Sequence, residues 1–172
     1  MNTPLKLQRE TFADVIADAR PLLVEHWQEI AHYQDIPLAV NEAGYQRIDA
    51  AGLLRIYTAR RAGVLVGYAC FLVDQNSHYS TSKQAKQDVL YVEQSSRGAF
   101  VGIRLLKFAD AALAIEGVQV VYHHVKLSHP ALGVLLKHQG YEPIETIYGR
   151  RLDLTHQRAD LAPRATPQTA EA

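Results

Sequence analysis

The sequence has one cysteine among 172 residues, no long apolar run and no surplus of charge of either sign. Cys70 alone can form neither an intramolecular disulfide nor a cysteine-rich zinc site, and its apolar neighbours predict a buried thiol. No stretch reaches the ~18 apolar residues that a membrane helix requires, and the first residues lack the apolar core of a signal peptide. We therefore expect a cytoplasmic protein without a membrane partner.

The charge balance bears on the partners of the protein. Eighteen Lys and Arg residues offset eighteen Asp and Glu residues, so the formal net charge is zero with the histidines neutral. Proteins that coat nucleic acid usually carry a basic surplus, and nucleic acid is therefore a disfavoured partner. A local basic patch at Arg55, Arg60 and Arg61 remains open at this point.

The length suits one domain, which we expect over residues 1–154. Residues 155–172 have few large apolar side chains and predict a disordered tail. Patterns of apolar residues divide the rest of the chain into helices and strands. The helices are predicted over residues 11–31, 42–50, 101–115 and 130–140. The strands are predicted over residues 53–60, 64–73, 89–92, 118–125 and 142–152.

Local signals refine this outline. Thr11 and Asp14 make an N-terminal capping pair, and Pro21 predicts either a kinked helix or two helices that meet there. The polar residues 74–87 predict an exposed connection or an active-site loop. Antiparallel strands followed by alternating strands and helices indicate an α/β layout around one mixed sheet. A last strand at 142–152 would leave an edge able to support a homodimer.

The segment from Asp88 to Leu106 is the most informative part of the sequence. It reads as a buried strand, a short loop with Arg97 and Gly98, and a helix with Gly102 in its first turn. Free backbone N–H groups at a helix N-terminus bind anions, and small residues allow a ligand to approach the backbone. The segment lacks the Gly-Lys-Ser/Thr of a Walker loop and the glycine pattern of a dinucleotide fold. An anion site of another kind is therefore indicated.

Two blocks of this chain resemble the GNAT superfamily of N-acetyltransferases. The first block carries the pattern of the family's pyrophosphate loop, and it consists of Tyr91, Val92, Arg97, Gly98, Ala99, Phe100, Val101 and Gly102. The second block, from Pro130 to Tyr141, is similar to the family's second cofactor helix, which ends in a glycine and an aromatic residue. Residues 25–30, the pair His78 and Tyr79, and residues 145–148 resemble a GNAT subgroup common in phages and prophages.

The resemblance implies a mixed, mostly antiparallel (α+β) sheet flanked by helices, with acetyl-CoA as co-substrate and no metal. The backbone of residues 97–102 would hold the pyrophosphate, and the pantetheine would lie along Tyr91 and Val92 like an added strand. A backbone N–H near Val92 would polarise the thioester carbonyl. The implied reaction is direct acetyl transfer, in a ternary complex, to a primary amine of a small molecule or a protein lysine.

Proton transfer has two candidate bases. Asp88 lies on the central strand with the same parity as Leu90, and His78 lies in the polar loop before it. Glu25, His26 and Glu29 are candidates for binding the acceptor, since a spacing of four residues puts both carboxylates on one helix face.

The chain departs from the family pattern at two positions. Phe100 stands where the signature prefers glycine, which is tolerable if its φ is negative. Leu136 stands where the family often has an acid tyrosine, and Tyr148 is the candidate to replace it. These departures keep two alternatives open, a non-catalytic module that binds acetyl-CoA or a partner, and a phage enzyme derived from this fold that modifies a nucleobase.

Overall fold

The structure, a computed structural model, describes residues 4–153, without the side chains of residues 98 and 99. The tail predicted at 155–172 lies outside the described residues. The chain divides into one unit that ends at Gly140 and a second that begins at Tyr141. The strands of the first unit are β1 (Leu5–Glu10), β2 (Leu54–Arg61), β3 (Val64–Gln75), β4 (Lys83–Val92) and β5 (Val120–Tyr122). Its helices are α1 (Phe12–Ile30), α2 (Glu42–Ala50), α3 (Val101–Ile115) and α4 (Ala131–His138), with a 3-10 turn at Gln94–Ala99.

The five strands form one sheet in the order β1-β2-β3-β4-β5. The first three pairs are antiparallel, and β4 and β5 are parallel. One face packs in a core with α3, around Phe71, Leu105 and Leu113. The other face packs in a core with α1, around Phe12, Leu22 and Ile56. The predicted mixed, mostly antiparallel sheet flanked by helices is therefore confirmed.

Local sequence signals account for the first helix. Thr11 caps α1 with a complete capping box, since its side chain accepts from the N–H of Asp14 and the Asp14 side chain accepts from the N–H of Thr11. Such reciprocal bonds satisfy donors that have no partner inside the helix. The helix is single and runs through Pro21. None of the described helices is both long and apolar enough to cross a bilayer.

The β2–β3 hairpin depends on residues that tolerate a left-handed backbone. Ala62 and Gly63, at its turn, have φ of 48° and 83°, as in the turns that match the twist of a hairpin. Further along β3, a Cβ on Gly67 would lie 3.0 Å from the carbonyl oxygen of Tyr91. Glycine at this position therefore allows β3 and β4 to approach each other closely.

The strands of the structure differ from the predicted strands in several places. β1 was not predicted. β3 runs on to Gln75 and β4 begins at Lys83, so half of the polar connection expected at 74–87 is strand. Gln84 and Gln87 in that half are buried. β5 covers only three of the residues expected at 118–125, and residues 142–152 contain no strand. The edge strand on which a homodimer was suggested is therefore absent from the described residues.

Candidate functional site

The outer edge of β4 is paired with β5 along only part of its length, and we call the space beside the unpaired part, residues 87–92, the cleft. The two strands pair only from Gln84 to Lys86, opposite Val120 to Tyr122, whereas β4 continues to Val92. Directly after the last paired residues of β4 and β5, Nδ1 of His123 lies 2.6 Å from Oε1 of Gln87. Burial lowers the pKa of His123 to about 4, so this imidazole is neutral near pH 7. A hydrogen bond between two neutral side chains thus lies at the end of the cleft next to β5.

A β-bulge at Asp88 determines which groups of β4 face the cleft. Cys70 pairs with Val89 and Phe71 pairs with Gln87, so Asp88 is the extra residue. Beyond the bulge, the N–H of Glu93 donates to the carbonyl of Val66 at 2.9 Å. Since alternate residues of an antiparallel strand face its partner, the backbone groups of Leu90 and Val92 point away from β3 and toward the cleft.

The N-terminus of α3 follows the same end of β4. Phe100 precedes the helix and provides no side-chain cap, and the first N–H groups of a helix have no intrahelical partner. A Cβ on Gly102 would come no closer than 3.9 Å to Val92 and 4.0 Å to Leu135. The packing of the protein therefore does not require glycine at 102. The clearance and the uncapped donors together suit an anion that approaches the backbone.

Phe100 corrects one expectation. Its φ is 56°, in the left-handed region, and its side chain is 69% exposed. The negative φ under which phenylalanine was expected to be tolerated is thus not observed. The backbone at this position has the conformation that glycine adopts without steric cost.

Arg97, the first residue of the loop signature, is bonded within the protein. Its guanidinium donates to both carboxylate oxygens of Glu29, at 2.9 and 2.6 Å, and its Nε donates to the carbonyl of Val92 at 2.9 Å. The guanidinium also lies 5.3 Å from the centre of the Tyr91 ring. Hydrogen bonding to Arg97 lowers the pKa of Glu29. Arg97 therefore joins the 3-10 turn to α1.

Asp88 faces α2 rather than α3. The hydroxyl of Tyr45 donates to its carboxylate at 2.5 Å, and the Tyr45 ring stacks on Phe12 with ring centres 5.1 Å apart. Leu90 packs on the opposite face, in the α3 core. The prediction that Asp88 and Leu90 share a face was wrong, because the bulge changes the alternation of side chains. Asp88 is exposed to solvent, as a proton acceptor for an incoming molecule must be.

A cavity of about 290 Å³ lies between α1, α2, the loop before α2 and the sheet. We call it the apolar cavity. Its walls include Phe12, Ile16, Leu23, Leu38, Ile56 and Val89. Tyr45 and Tyr68 contribute the aromatic part of the wall, and Cys70 contributes a buried thiol. Through Tyr45 and Val89 the apolar cavity adjoins Asp88 at the bulge.

The three residues suggested for the acceptor are engaged elsewhere. Glu29 is paired with Arg97, and Glu25 accepts from the hydroxyl of Tyr91 at 3.2 Å. His26 is buried, with Nδ1 3.1 Å from the Tyr68 hydroxyl and its ring stacked on Tyr91 at 4.8 Å. Burial lowers the pKa of His26 to about 4, so near pH 7 it offers no charge. None of the three is among the residues that line the apolar cavity.

The other two suggested catalytic residues lie apart from Asp88 or outside the sheet. His78 lies in the exposed turn before Lys83, where its N–H donates to Oδ1 of Asn76 at 2.8 Å. Asp88 lies five residues beyond Lys83, or about 16 Å at the ~3.3 Å rise of a strand. The structure thus does not bring His78 and Asp88 together. Tyr148 is 92% exposed in a segment without strand structure.

The structure adds Tyr45 to the site. Tyr45 is an aromatic residue in the polar helix α2, three residues before Ile48, and this spacing was the available signal that it faces the sheet.

Two of the three arginines suggested as a basic patch are in ion pairs. Arg55 pairs with Glu116 at 2.7 Å. Arg60 pairs with Glu10 and Asp18. Within residues 4–153, no group of three or more metal-ligating side chains occurs.

Comparisons with known proteins address this arrangement. No protein-family model matches the chain, and no curated protein matches it in sequence. Solved structures do match it. A ribosomal-protein-alanine N-acetyltransferase from Brucella melitensis biovar Abortus 2308 has a TM-score of 0.67 and 14% identity, over 86% of this chain and 99% of that one. The chain has the GNAT fold.

Two further structures agree with this fold. An aminoglycoside N-acetyltransferase in complex with CoA has a TM-score of 0.69 and 17% identity, over 90% of this chain and 98% of that one. Glucosamine-6-phosphate N-acetyltransferase from Arabidopsis thaliana has a TM-score of 0.66 and 13% identity, over 87% and 99%. At such identities the likeness is one of fold. None of the three is described as a phage protein, and the phage subgroup stays a prediction.

Proposed function

We propose that this protein is an acetyl-CoA-dependent N-acetyltransferase that acts on a primary amine by direct transfer in a ternary complex. The observation that carries the proposal is the edge of β4 that β5 leaves unpaired, with the outward backbone of Leu90 and Val92, followed by the uncapped N-terminus of α3. The three structural neighbours are all N-acetyltransferases, and one of them is in complex with CoA.

Residues of this chain can hold each part of acetyl-CoA. The backbone of residues 97–102 would bind the pyrophosphate, since it ends at the donors of α3 and has space above Gly102. The edge of β4 at Tyr91 and Val92 would bind the pantetheine as an added strand. The N–H of Val92 faces the cleft, and it would donate to the thioester carbonyl and stabilise the charge that develops on that oxygen.

The reaction moves the acetyl group from sulfur to nitrogen. The amine nitrogen forms a bond to the carbonyl carbon, the C–S bond breaks, and CoA leaves as the thiol. The amine must lose a proton, and Asp88 is the side chain placed to accept it, because it is exposed and next to the backbone that faces the cleft. Tyr45 positions that carboxylate by donating a hydrogen bond to it. Tyr148 stays a proposed acid, and His78 stays the alternative base.

One specific observation favours the second candidate, a non-catalytic module. Leu136 is buried where the family often has its acid tyrosine, and Phe100 holds a strained backbone in the proposed pyrophosphate loop. An enzyme and a module would both bind acetyl-CoA, so binding alone does not separate them. The neutralised arginines at 55 and 60 make the nucleobase-modifying alternative the weakest of the three.

Release of CoA thiol and a gain in acceptor mass test the enzyme directly. Acetyl-CoA is incubated with the protein and a panel of amines and lysine peptides, and both signals are followed over time. The enzyme predicts thiol release that depends on the acceptor and a mass gain of one acetyl group. Binding of acetyl-CoA without acceptor-dependent release across the panel would support the module instead.

A further inference from the structure

The apolar cavity has a chemical character that restricts what it can bind. Its walls are formed by aliphatic and aromatic side chains from α1, the loop before α2, and the strands β2, β3 and β4. Its volume of about 290 Å³ compares with the roughly 150 Å³ of an engineered apolar cavity that binds benzene. A six-membered ring with a short chain therefore fits in it, and a trisaccharide does not.

Three polar side chains in its walls each have a hydrogen bond within the protein. The Tyr45 hydroxyl donates to Asp88, and the Tyr68 hydroxyl is bonded to Nδ1 of His26. Asn41 caps α2 by accepting from the N–H of Gly44 at 2.9 Å. Burial raises the pKa of the Cys70 thiol, so this side chain is neutral. A ligand with many hydroxyl or ammonium groups would lose hydration here without equivalent hydrogen bonds in return.

The apolar cavity also lies beside the proposed reacting position. Val89, in its wall, is the residue after Asp88 and the residue before Leu90, whose backbone faces the cleft. Tyr45, also in its wall, holds the Asp88 carboxylate. A molecule seated in the cavity can therefore direct a group past Tyr45 and Val89 to Asp88, next to the edge of β4.

From this arrangement we infer that the acceptor is a small primary amine with one apolar arm, an aromatic ring or a branched alkyl chain. The arm occupies the apolar cavity, and the amino group lies at the Asp88 carboxylate. This inference rests on the proposed acetyl transfer, whose acceptor class it specifies. It predicts selection by apolar contact rather than by the hydroxyl and ammonium contacts that an aminoglycoside would need.

Acceptor competition tests the inference with phenethylamine, isoamylamine, ethanolamine and spermidine as probes. Phenethylamine and isoamylamine should exceed ethanolamine and spermidine in kcat/KM by about tenfold or more, the scale of a missing apolar group in a hydrophobic pocket. Ala39→Phe narrows the cavity from its exposed loop and should remove most of this preference. Ala43→Phe, on the exposed side of α2 and away from the cavity wall, is the matched control and should retain it.

A binding measurement separates this inference from the proposed function. Phenethylamine is titrated into the protein with saturating CoA and followed by NMR, with intermolecular contacts expected at the methyl groups of Ile56 and Val89. Such contacts without thiol release would support the apolar site and contradict the enzyme. Thiol release with spermidine or ethanolamine as the preferred acceptor would overturn the apolar acceptor and leave the enzyme intact. Phenethylamine contacts confined to residues outside the cavity would also overturn it, whether or not Ala39→Phe folds.

Discussion

Arg97 in the 3-10 turn and Glu29 near the end of α1 form a two-point ion pair, with N···O distances of 2.9 and 2.6 Å. The same guanidinium bonds the carbonyl of Val92. One side chain thus connects the proposed pyrophosphate loop with the end of β4 and with α1. This connection suggests that Arg97 acts by holding the loop in place.

Arg97→Ala should therefore weaken acetyl-CoA binding while changing stability little. The pair is partly exposed, and exposed ion pairs contribute about 0.2–1 kcal/mol. We expect affinity to fall by about tenfold, equivalent to about 1.4 kcal/mol, the scale of one or two net hydrogen bonds. Arg20→Ala, which removes a comparable exposed pair with Glu42, is the matched control. Calorimetry that shows equal affinity for both variants would refute the positioning role.

Phe100→Gly should stabilise the protein. A left-handed backbone costs a residue with a Cβ about 1–2 kcal/mol, and the exposed phenyl ring contributes little burial in return. The greater chain entropy of glycine in the unfolded state offsets part of this cost. We therefore expect a net gain of about 0.5–1 kcal/mol in the free energy of unfolding. Phe100→Ala keeps the Cβ and should show no such gain. A loss of stability in the glycine variant, measured by urea unfolding, would contradict the left-handed backbone at this position.

Two histidines, the buried His26 and the half-buried His123, predict a loss of stability in acid. The pKa of His26 and the pKa of His123 are both lowered from 6.5 to about 4, chiefly by burial. Between pH 4 and pH 6.5 the unfolded chain binds more protons than the folded one. The free energy of unfolding is therefore highest above pH 6.5 and decreases as pH falls toward 4. Each site can account for up to about 3 kcal/mol.

Urea unfolding at pH 7, 6, 5 and 4 checks this prediction. His26→Gln and His123→Gln should each flatten the fall in stability, because glutamine does not titrate. His32→Gln changes an exposed histidine at the end of α1 and should leave the fall unchanged. Equal slopes for wild type and both buried-site variants would show that these imidazoles do not control acid stability.

Local patterns in the sequence were sufficient for part of this fold. Neighbouring residues encode three of its features. The Thr11 capping box and the periodicity of α3 were predicted, and the residues of the Ala62 and Gly63 turn suit its left-handed backbone. β1 was missed because its sequence, Leu-Lys-Leu-Gln-Arg-Glu, is that of a half-exposed edge strand. The start of β4 was missed because its glutamines are polar, and only tertiary bonds to Asn76, Asp74 and His123 make their burial tolerable.

The candidate site was predictable only in the part that one continuous segment of the sequence forms. The backbone loop after β4 was identified from one continuous segment. The bulge at Asp88 depends on the register with β3, and the Tyr45 contact joins residues 43 positions apart. The apolar cavity requires α1, α2 and three strands together, and no short motif specifies such a surface. The acceptor residues proposed from helix spacing alone were accordingly found in other contacts.

Asp88→Asn tests proton removal. We expect turnover to fall by about 10²–10⁴-fold, the range for loss of a general base, with acetyl-CoA affinity unchanged because the side chain faces α2. Tyr45→Phe should lower turnover less, since it removes only the group that positions the carboxylate. His78→Gln should match wild type, and a large effect there with none at Asp88 would reverse the assignment.

Titration of acetyl-CoA into wild type, Gly102→Ala and Gly102→Glu by calorimetry tests the cofactor site most directly. A methyl group at 102 meets only ordinary contacts, so Gly102→Ala should fold and keep most of its affinity. A glutamate places bulk and negative charge where the pyrophosphate would approach the backbone of α3. We predict that Gly102→Glu weakens binding by about 1–3 kcal/mol. Unchanged affinity in a folded Gly102→Glu protein would show that acetyl-CoA does not bind at this helix.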